Sequence, residues 1–321
     1  MRQGIKFDRV GADWLPDISQ LIRKRLDNPK RLKEEHNTRA IGETIIRQLC
    51  DNQGSGLRLS SCGSCIRQQA FAHYNWVKDG HTIDGAARLT FAVGDALEAM
   101  IVACLKEACV DVDINTSYMG DDQLEVSIEV PFGESGKQVA NIVGHPDGMM
   151  NVPIFILGEQ SLDKEWVVLE IKSMSDYAFK RFRADGLSKT DSYYYQIQAY
   201  MLATGTSRTY ILAFGKASAA KDAVTTEHHW EPLFPLVGQW IKEDKEIQRE
   251  IQENYKTILT SRSPFDLNVP FKPNKKGRIG FPCDYCSYHK HCYPDSSEVA
   301  ETSKWLQSST KVKLYVGEND A

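Results

Sequence analysis

The stretch 166–172 most constrains the fold, because it is a short apolar strand that ends in two charges. Side chains two residues apart point to the same face of a strand, so Glu170 and Lys172 project together while Leu169 and Ile171 point the other way. Burying a carboxylate and an ammonium there costs free energy unless the two are paired or used. Taken alone, the pattern favours an ordinary ion pair at a strand end.

A second carboxylate lies upstream, in the turn formed by residues 144–148 with the sequence GHPDG. By itself this is an ordinary Asp-Gly turn. It joins two strand-like stretches, however, so Asp147 and Glu170 are expected on adjacent strands of one meander. Two converging carboxylates form an oxygen-ligand site suited to Mg²⁺ or Mn²⁺, and the backbone carbonyl of Ile171 is a candidate further ligand.

Strand-like and helical patterns elsewhere predict an α/β core around these residues. Strands are expected at 124–130, 139–143, 149–157, 166–171 and 210–214, with a hairpin loop at 158–164. Helices are expected at 86–108, 192–203 and 236–259. The predicted domains are a helical N-terminal segment (1–60), whose apolar residues recur at helical spacing, a core domain (61–295) and a polar tail (296–321).

Composition limits the class of protein. The chain has 321 residues, of which 41% are hydrophobic and 26% charged, which allows a sizeable core. The net charge of −4 argues against a nucleic-acid binder that works by charge alone, although bound cations and local basic stretches offset carboxylates. Neither a signal-like N-terminus nor a run of about 18 apolar residues occurs. We therefore expect a cytoplasmic protein without membrane association, whose eight cysteines stay reduced.

Two helical motifs flank the carboxylates. The first, residues 94–98 with the sequence GDALE, places Glu98 on the border of an apolar helix face. The second, residues 196–200 with the sequence QIQAY, places Gln196 and Tyr200 on one helix face. The preceding tyrosines at 193–195 are expected to lie in the core, with stacking on nucleobases as the alternative.

This order of motifs, an Asp followed by Glu-x-Lys between a G-x-x-x-E helix and a Q-x-x-x-Y helix, resembles the PD-(D/E)XK nuclease superfamily. The resemblance implies a restriction-endonuclease-like core, in which helices flank a mixed central sheet. It also implies that one or two Mg²⁺ or Mn²⁺ ions are bound by Glu98, Asp147, Glu170 and the carbonyl of Ile171. Glu98 departs from the family's commoner histidine at that position.

The same resemblance implies roles for the other motif residues. Lys172 would orient or help to deprotonate the attacking water and stabilise charge on the phosphate. Gln196 and Tyr200 would contact DNA or order the metal ligands. Basic residues after the strand and before the last cysteines would contact the DNA backbone: Lys180, Arg181, Arg183, Lys189, Lys272, Lys275, Lys276 and Arg278. For each of them, a position on an ordinary solvated surface is equally expected.

The cysteines admit two metal centres that tie the ends of the domain together. One is a zinc site of Cys62, Cys65, Cys283 and Cys286, or a mixed-ligand zinc site that includes His289 or His291. The other is a [4Fe–4S] cluster on Cys65, Cys283, Cys286 and Cys292. The second spacing resembles the RecB-like branch that includes the AddB nuclease domain and the CRISPR-adaptation nucleases, and the sequence around Cys65 favours it over Cys62. Three further thiols are expected to be buried: Cys50, Cys104 and Cys109.

The resemblance as a whole implies a DNA exonuclease that processes DNA ends for recombination or repair, with a recombinase or annealing protein as a partner. A phage origin is compatible with this and would place the protein in the host cytoplasm. The alternatives are a CRISPR-adaptation nuclease that trims spacers, a catalytically silent DNA-binding subunit, and a zinc-bound structural adaptor.

Overall fold

The structure is a computed structural model, and most of the described chain lies between residues 56 and 293. The described residues are 7–10, 13–16, 56–79, 93–94, 96–102, 104–105, 113–116, 124–133, 136–156, 162–215, 223–226, 229–232, 236–268, 278–279, 283, 286–293 and 312–313.

The described chain contains thirteen strands and several helices. The strands are β1 (Phe7–Val10), β2 (Asp13–Pro16), β3 (Asp113–Thr116), β4 (Val126–Phe132), β5 (Gln138–Gly144), β6 (Gly148–Ile156), β7 (Leu162–Met174), β8 (Arg208–Gly215), β9 (Ala223–Thr226), β10 (His229–Pro232), β11 (Leu236–Lys242), β12 (Arg278–Ile279) and β13 (Val312–Lys313). The α-helices are α1 (Ile66–His73), α2 (Asp176–Asp185), α3 (Ser192–Thr204), α4 (Lys245–Thr260) and α5 (His289–Cys292), and two 3₁₀ turns lie at Leu59–Ser61 and Pro264–Asp266. Residues 93–94, 96–102 and 104–105 are also helical and are called the Glu98 helix.

A seven-stranded mixed sheet forms the centre, in the order β1-β2-β6-β7-β8-β11, with β3 also paired to β6. β6 and β7 are antiparallel, as expected for a hairpin, whereas β7 and β8 are parallel. Parallel neighbours need a crossover connection, which α2 and α3 supply. The mixed central sheet with flanking helices is therefore confirmed. The hairpins β4–β5 and β9–β10 and the pair β12–β13 form separate two-stranded sheets.

From Val167 to Ile171, strand β7 is buried on both faces of this sheet. Val167, Leu169 and Ile171 belong to one core, together with buried residues of the Glu98 helix. Val168 belongs to a second core, together with Tyr200 and other residues of α3. A strand covered on both sides is a near-continuous apolar run, which explains the sequence VVLEI before the second charge.

Most of the predicted elements are present where the structure describes them, but the helix expected at 236–259 is only partly correct. Leu236–Lys242 forms β11, which pairs antiparallel with β8, and α4 begins only at Lys245. Asp244 explains the late start, because its side chain accepts hydrogen bonds from the backbone amides of Glu246 and Ile247 as an N-cap. Pairing with β8 overrides a local apolar spacing that suits a helix equally well.

The N-terminal segment also differs from expectation where it is described. β1 and β2 are strands, and β2 pairs with β6 of the central sheet, although residues 1–60 were expected to be mostly helical. Residues 17–55 of this segment lie outside the described residues. In the polar tail, β13 pairs with β12. The boundaries near residues 60 and 295 stay predictions. Among the described helices, none has the length and apolarity that spanning a membrane requires.

Gly238 in β11 provides a test of the sheet packing. A Cβ at this position would lie 1.8 Å from the hydroxyl oxygen of Tyr210, which is buried on β8. We expect Gly238→Ala to lower the free energy of unfolding by about 1–3 kcal/mol, because a buried ring must move. Urea denaturation measures the change. Lys242→Ala, at the exposed end of the same strand, is the control and should shift the free energy by less than about 0.5 kcal/mol. Equal stability of the two variants would contradict this packing.

Candidate active site

Glu170 is the buried centre of the site. It lies near the end of β7, is 1% exposed, and shares its strand face with Val168 and Lys172. Burial and then the neighbouring charge of Asp147 raise the pKa of its carboxyl to about 8, against a partial opposing effect of Lys172. A buried acid with such a raised pKa binds a proton or a cation readily.

Lys172 lies two residues further along the same face of β7. Its ammonium forms an ion pair with Oε1 of Glu170, and its side chain is 17% exposed. Burial alone would lower the pKa of this lysine, but the charges of Glu170, Asp147 and, more weakly, Glu98 raise it above the usual range. Nζ also lies 5.4 Å from the centre of the Tyr193 ring, in a cation–π contact. The lysine is therefore held charged between acidic groups and an aromatic face.

Asp147 reaches the same strand end from the turn between β5 and β6. Its Oδ2 accepts a hydrogen bond of 2.6 Å from the backbone amide of Ile171. That amide lies between Glu170 and Lys172 in the sequence, so the bond fixes the Asp147 carboxylate beside both charged side chains. The two carboxylates predicted to converge are brought together in this way.

Gln196 and Tyr200 face the site from α3, as the spacing predicts. Nε2 of Gln196 donates to Oε1 of Glu170 at 2.9 Å and to the hydroxyl of Tyr200 at 3.2 Å. The Tyr200 hydroxyl in turn donates to the backbone carbonyl of His145 at 3.1 Å. His145 belongs to the turn that carries Asp147, so α3 fixes both the buried carboxylate and the second acidic residue.

Gly144 permits this close approach of α3 to the turn. A Cβ at this position would lie 2.8 Å from Cε1 of Tyr200 and 2.6 Å from Cβ of Leu59. Both neighbours are buried side chains with little freedom to move. The sequence places Gly144 in the Asp147 turn but does not indicate this contact, because Leu59 and Tyr200 lie far away in the chain.

Glu98 approaches from the other face of the sheet. The Glu98 helix packs against the core that contains Leu169 and Ile171, and Glu98 is close enough to raise the pKa of Lys172. All three acidic residues of the predicted ligand set therefore act electrostatically on the same lysine.

The acidic oxygen atoms of the site suit a divalent cation in one specific respect. Oε2 of Glu170 is buried and has no hydrogen-bond partner among the described residues, although burying such an atom is costly. A hard cation with oxygen ligands would satisfy this atom and lower the pKa of the acid. Yet within the described residues no group of three or more His, Cys, Asp or Glu side chains has the arrangement of a metal site.

The cysteines separate into two groups. Cys65, Cys283 and Cys292 all influence the thiol of Cys286, whose pKa is raised to about 12, mainly by burial. Cys62 instead lies in the core of α3 and α4, where burial raises its pKa and Tyr255 is its neighbour. Cys104 belongs to the Glu98 helix and is buried in the core, as expected. Cys50 and Cys109 lie outside the described residues.

Residues 283–292, which carry three of the cysteines, are called the cysteine loop, and its two histidines contact the backbone. Nδ1 of His289 lies 2.9 Å from the carbonyl oxygen of Cys283, and Nε2 of His291 lies 2.7 Å from the carbonyl oxygen of Val77. The backbone amide of Asp79 donates to the carbonyl of Ser287, which joins the loop to the segment after α1. These bonds account for one nitrogen of each ring without a metal ion.

The basic residues expected to track DNA have varied surroundings. Arg181 pairs with Asp191 at 2.7 Å and Lys189 with Asp244 at 2.6 Å, both at the surface. The guanidinium of Arg183 lies 4.7 Å from the centre of the Phe179 ring, and Lys180 is exposed. Lys272, Lys275 and Lys276 lie outside the described residues, as does the side chain of Arg278.

The three tyrosines at the start of α3 do not share one environment, contrary to the expectation that they lie in the core. Tyr194 is buried, and Tyr195 is partly buried with its hydroxyl 3.0 Å from Oε1 of Glu250. Tyr193 is 38% exposed and lies against Lys172. Tyr193 is therefore a residue of the site, for which the sequence favoured a core position and offered a role beside the substrate only as the alternative.

Comparison with known proteins gives distant structural neighbours only. No family model and no curated protein matches the chain. The crystal structure of SSO0001 is 15% identical with a TM-score of 0.40, and the match covers 78% of this chain and 92% of SSO0001. An alkaline exonuclease, LHK-Exo from Laribacter hongkongensis, is 14% identical with a TM-score of 0.35, covering 68% of this chain and 90% of that enzyme. A phage-related exonuclease from Haemophilus somnus 129PT is 13% identical with a TM-score of 0.28, covering 65% and 96%. At these scores the likeness carries no argument, so the functional proposal depends on the site itself.

The hydroxyl of Tyr200 gives a test of the site's framework. We expect Tyr200→Phe to lower the free energy of unfolding by about 1–3 kcal/mol, because it leaves the partly buried carbonyl of His145 without its donor. Tyr195→Phe is a matched control on the same helix. Its hydroxyl bonds at the surface to Glu250, so we expect a change below about 1 kcal/mol. Chemical denaturation compares them, and a smaller loss for Tyr200→Phe than for Tyr195→Phe would contradict the arrangement.

Proposed function

We propose that this protein is a metal-dependent deoxyribonuclease that hydrolyses phosphodiester bonds at DNA ends. The observation that carries the proposal is the juxtaposition of Asp147, Glu170 and Lys172 at one strand end, with a buried carboxylate oxygen that lacks a partner among the described residues. The ordered set of motifs around them, similar to the PD-(D/E)XK superfamily, supports the choice of phosphodiester hydrolysis.

The cation would be held by three acidic side chains, those of Glu98, Asp147 and Glu170. The backbone carbonyl of Ile171 would be a further ligand. One or two bound Mg²⁺ or Mn²⁺ ions would polarise the phosphate and make a water molecule more acidic. The chain's own contribution is positioning. Gln196 orients the Glu170 carboxylate, and Tyr200 fixes the turn of Asp147. The charged ammonium of Lys172 stabilises negative charge that develops on the phosphate and orients the attacking water.

The preference for DNA ends is inferred from the motif resemblance, in particular from the helix that carries Gln196 and Tyr200. The same resemblance supports a role in recombination or repair with a recombinase or annealing protein. A spacer-trimming nuclease of CRISPR adaptation remains the second candidate, because it shares the cysteine pattern.

Substitution of Lys172 tests the hydrolytic function. We expect Lys172→Ala to reduce Mg²⁺- or Mn²⁺-dependent digestion of end-labelled single- and double-stranded DNA by about 10²- to 10⁴-fold. The reason is that the substitution removes the lysine ammonium beside the phosphate. EDTA should abolish wild-type digestion. Closed circular DNA should resist it, as an exonuclease requires.

The matched control is Lys256→Ala, an exposed lysine on α4 within 3.9 Å of Glu253. The Lys256→Ala variant should digest DNA at the wild-type rate. Wild-type protein that is inactive with both ions, or Lys172→Ala at full activity, would rule out the proposed chemistry.

We further propose that Cys65, Cys283, Cys286 and Cys292 hold a structural [4Fe–4S] cluster. The spacing of these four cysteines in the sequence and the separate core position of Cys62 support this set. The guanidinium of Arg67, which partly opposes the burial effect on the pKa of Cys292, would balance thiolate charge. Such a cluster would hold the two ends of the domain together rather than take part in hydrolysis.

Elemental analysis and absorbance test the cluster. Protein purified without oxygen should contain iron and sulfide and absorb broadly in the blue part of the visible spectrum. Cys286→Ser should lose both, whereas Cys104→Ser, which replaces a buried thiol of the Glu98 helix, should keep them. A colourless protein that contains zinc would favour the zinc alternative and reject the iron–sulfur cluster.

A further inference from the structure

Tyr193 lies at the outer end of a stripe of side chains that leads out from the buried carboxylate. Tyr193, Gln196 and Tyr200 are spaced by three and four residues, so they share one face of α3. Tyr200 and Gln196 are buried and bonded within the site. Tyr193 is 38% exposed. The helix face that orients Glu170 therefore ends in an aromatic ring at the solvent edge of the site.

The neighbouring tyrosines have other tasks. The hydroxyl of Tyr194 lies 3.5 Å from Oδ2 of Asp244, the N-cap residue of α4. The hydroxyl of Tyr195 bonds to Glu250 of α4. Both tyrosines thus pack α3 against α4, whereas the contact of Tyr193 is with Lys172. Packing between the helices explains the first two residues but not the third.

A single exposed aromatic residue is common on protein surfaces and carries no function by itself. What distinguishes Tyr193 is the distance of 5.4 Å between its ring centre and Nζ of Lys172. Each phosphate of a single strand is flanked by two nucleosides. A phosphate that contacts Lys172 therefore brings a flanking base beside the Tyr193 ring.

We infer that Tyr193 stacks on the nucleobase next to the scissile phosphate and so directs the site to strands whose terminal nucleotides are unpaired. The inference depends on the proposed function, since it takes Lys172 to contact the scissile phosphate. Stacking on tyrosine accepts any base, because every base has a π face, so it gives no sequence preference. Inside a duplex both faces of a base are covered by neighbours, and an unpaired end is the form that presents a face to Tyr193.

Binding to a fluorescent oligonucleotide tests the inference independently of hydrolysis. The probe is a single strand with 2-aminopurine at one terminal position, each end being tested in turn, and Ca²⁺ replaces the catalytic ion. Gel analysis after each titration checks that the probe is intact. We expect wild-type protein and Tyr193→Phe to quench the fluorescence of one end, because the phenyl ring still stacks.

Tyr193→Leu should lose the quenching and bind about 5- to 150-fold more weakly, as expected for one lost base–aromatic stack. An oligonucleotide with an abasic site at the same position should bind wild type weakly and should not distinguish it from Tyr193→Leu. The wild-type preference for single-stranded over blunt duplex ends should also decrease in this variant. Melting curves establish that the variants are folded.

The control for surface tyrosines is Tyr177→Leu, which replaces a residue 78% exposed on α2 and should bind as wild type does. Unchanged affinity and quenching in Tyr193→Leu, or an equal loss in Tyr177→Leu, would overturn the role of Tyr193. Hydrolysis that depends on Lys172 while Tyr193→Leu binds normally would leave the proposed function standing and reject this inference alone. If the protein quenches the probe but never hydrolyses DNA, the stacking role of Tyr193 would stand and the proposed nuclease activity would be rejected.

Discussion

The Glu170 carboxylate, buried near the end of a strand that is covered on both faces, is the constraint around which the other parts of the site are arranged. An uncompensated carboxylate in such a position would cost several kcal/mol or stay protonated. The described structure compensates Oε1 twice, with the ammonium of Lys172 and the amide of Gln196, and leaves Oε2 without a described partner. An ionisable side chain thus occupies a position where a purely structural fold would favour an apolar one.

Helix α3 transmits this constraint to the rest of the site. Through Gln196 it orients the acid, through Tyr200 it holds the turn of Asp147, and through Tyr193 it reaches solvent beside Lys172. A site that is fixed by one helix and one strand is more rigid than one built on loops, because regular elements restrict side-chain positions. Gly144 belongs to this arrangement, since the close approach of Tyr200 leaves no room for a Cβ.

The cysteine loop fixes a different part of the fold. Arg67 on α1 donates to the carbonyl of Leu267, and the segment that follows α1 bonds to the loop through Asp79 and His291. Residues separated by about two hundred positions thus meet at one place. Closing so long a segment is entropically expensive, and a shared metal centre would offset that cost. The task of this region is closure of the domain, distinct from the chemistry proposed at Glu170.

The sequence by itself determined the local patterns: the charged end of β7, the turn of Asp147, the helix face shared by Gln196 and Tyr200, and the three adjacent strands β6, β7 and β8 of the central sheet. These follow from side-chain periodicity and turn chemistry, which act over a few residues. Only the tertiary structure decided that 236–242 is a strand, that Cys62 lies in the core, and that Tyr193 rather than Tyr194 faces the site. Each of these outcomes depends on a partner distant in sequence, on β8, α4 or β7, and no local pattern specifies which distant partner is chosen.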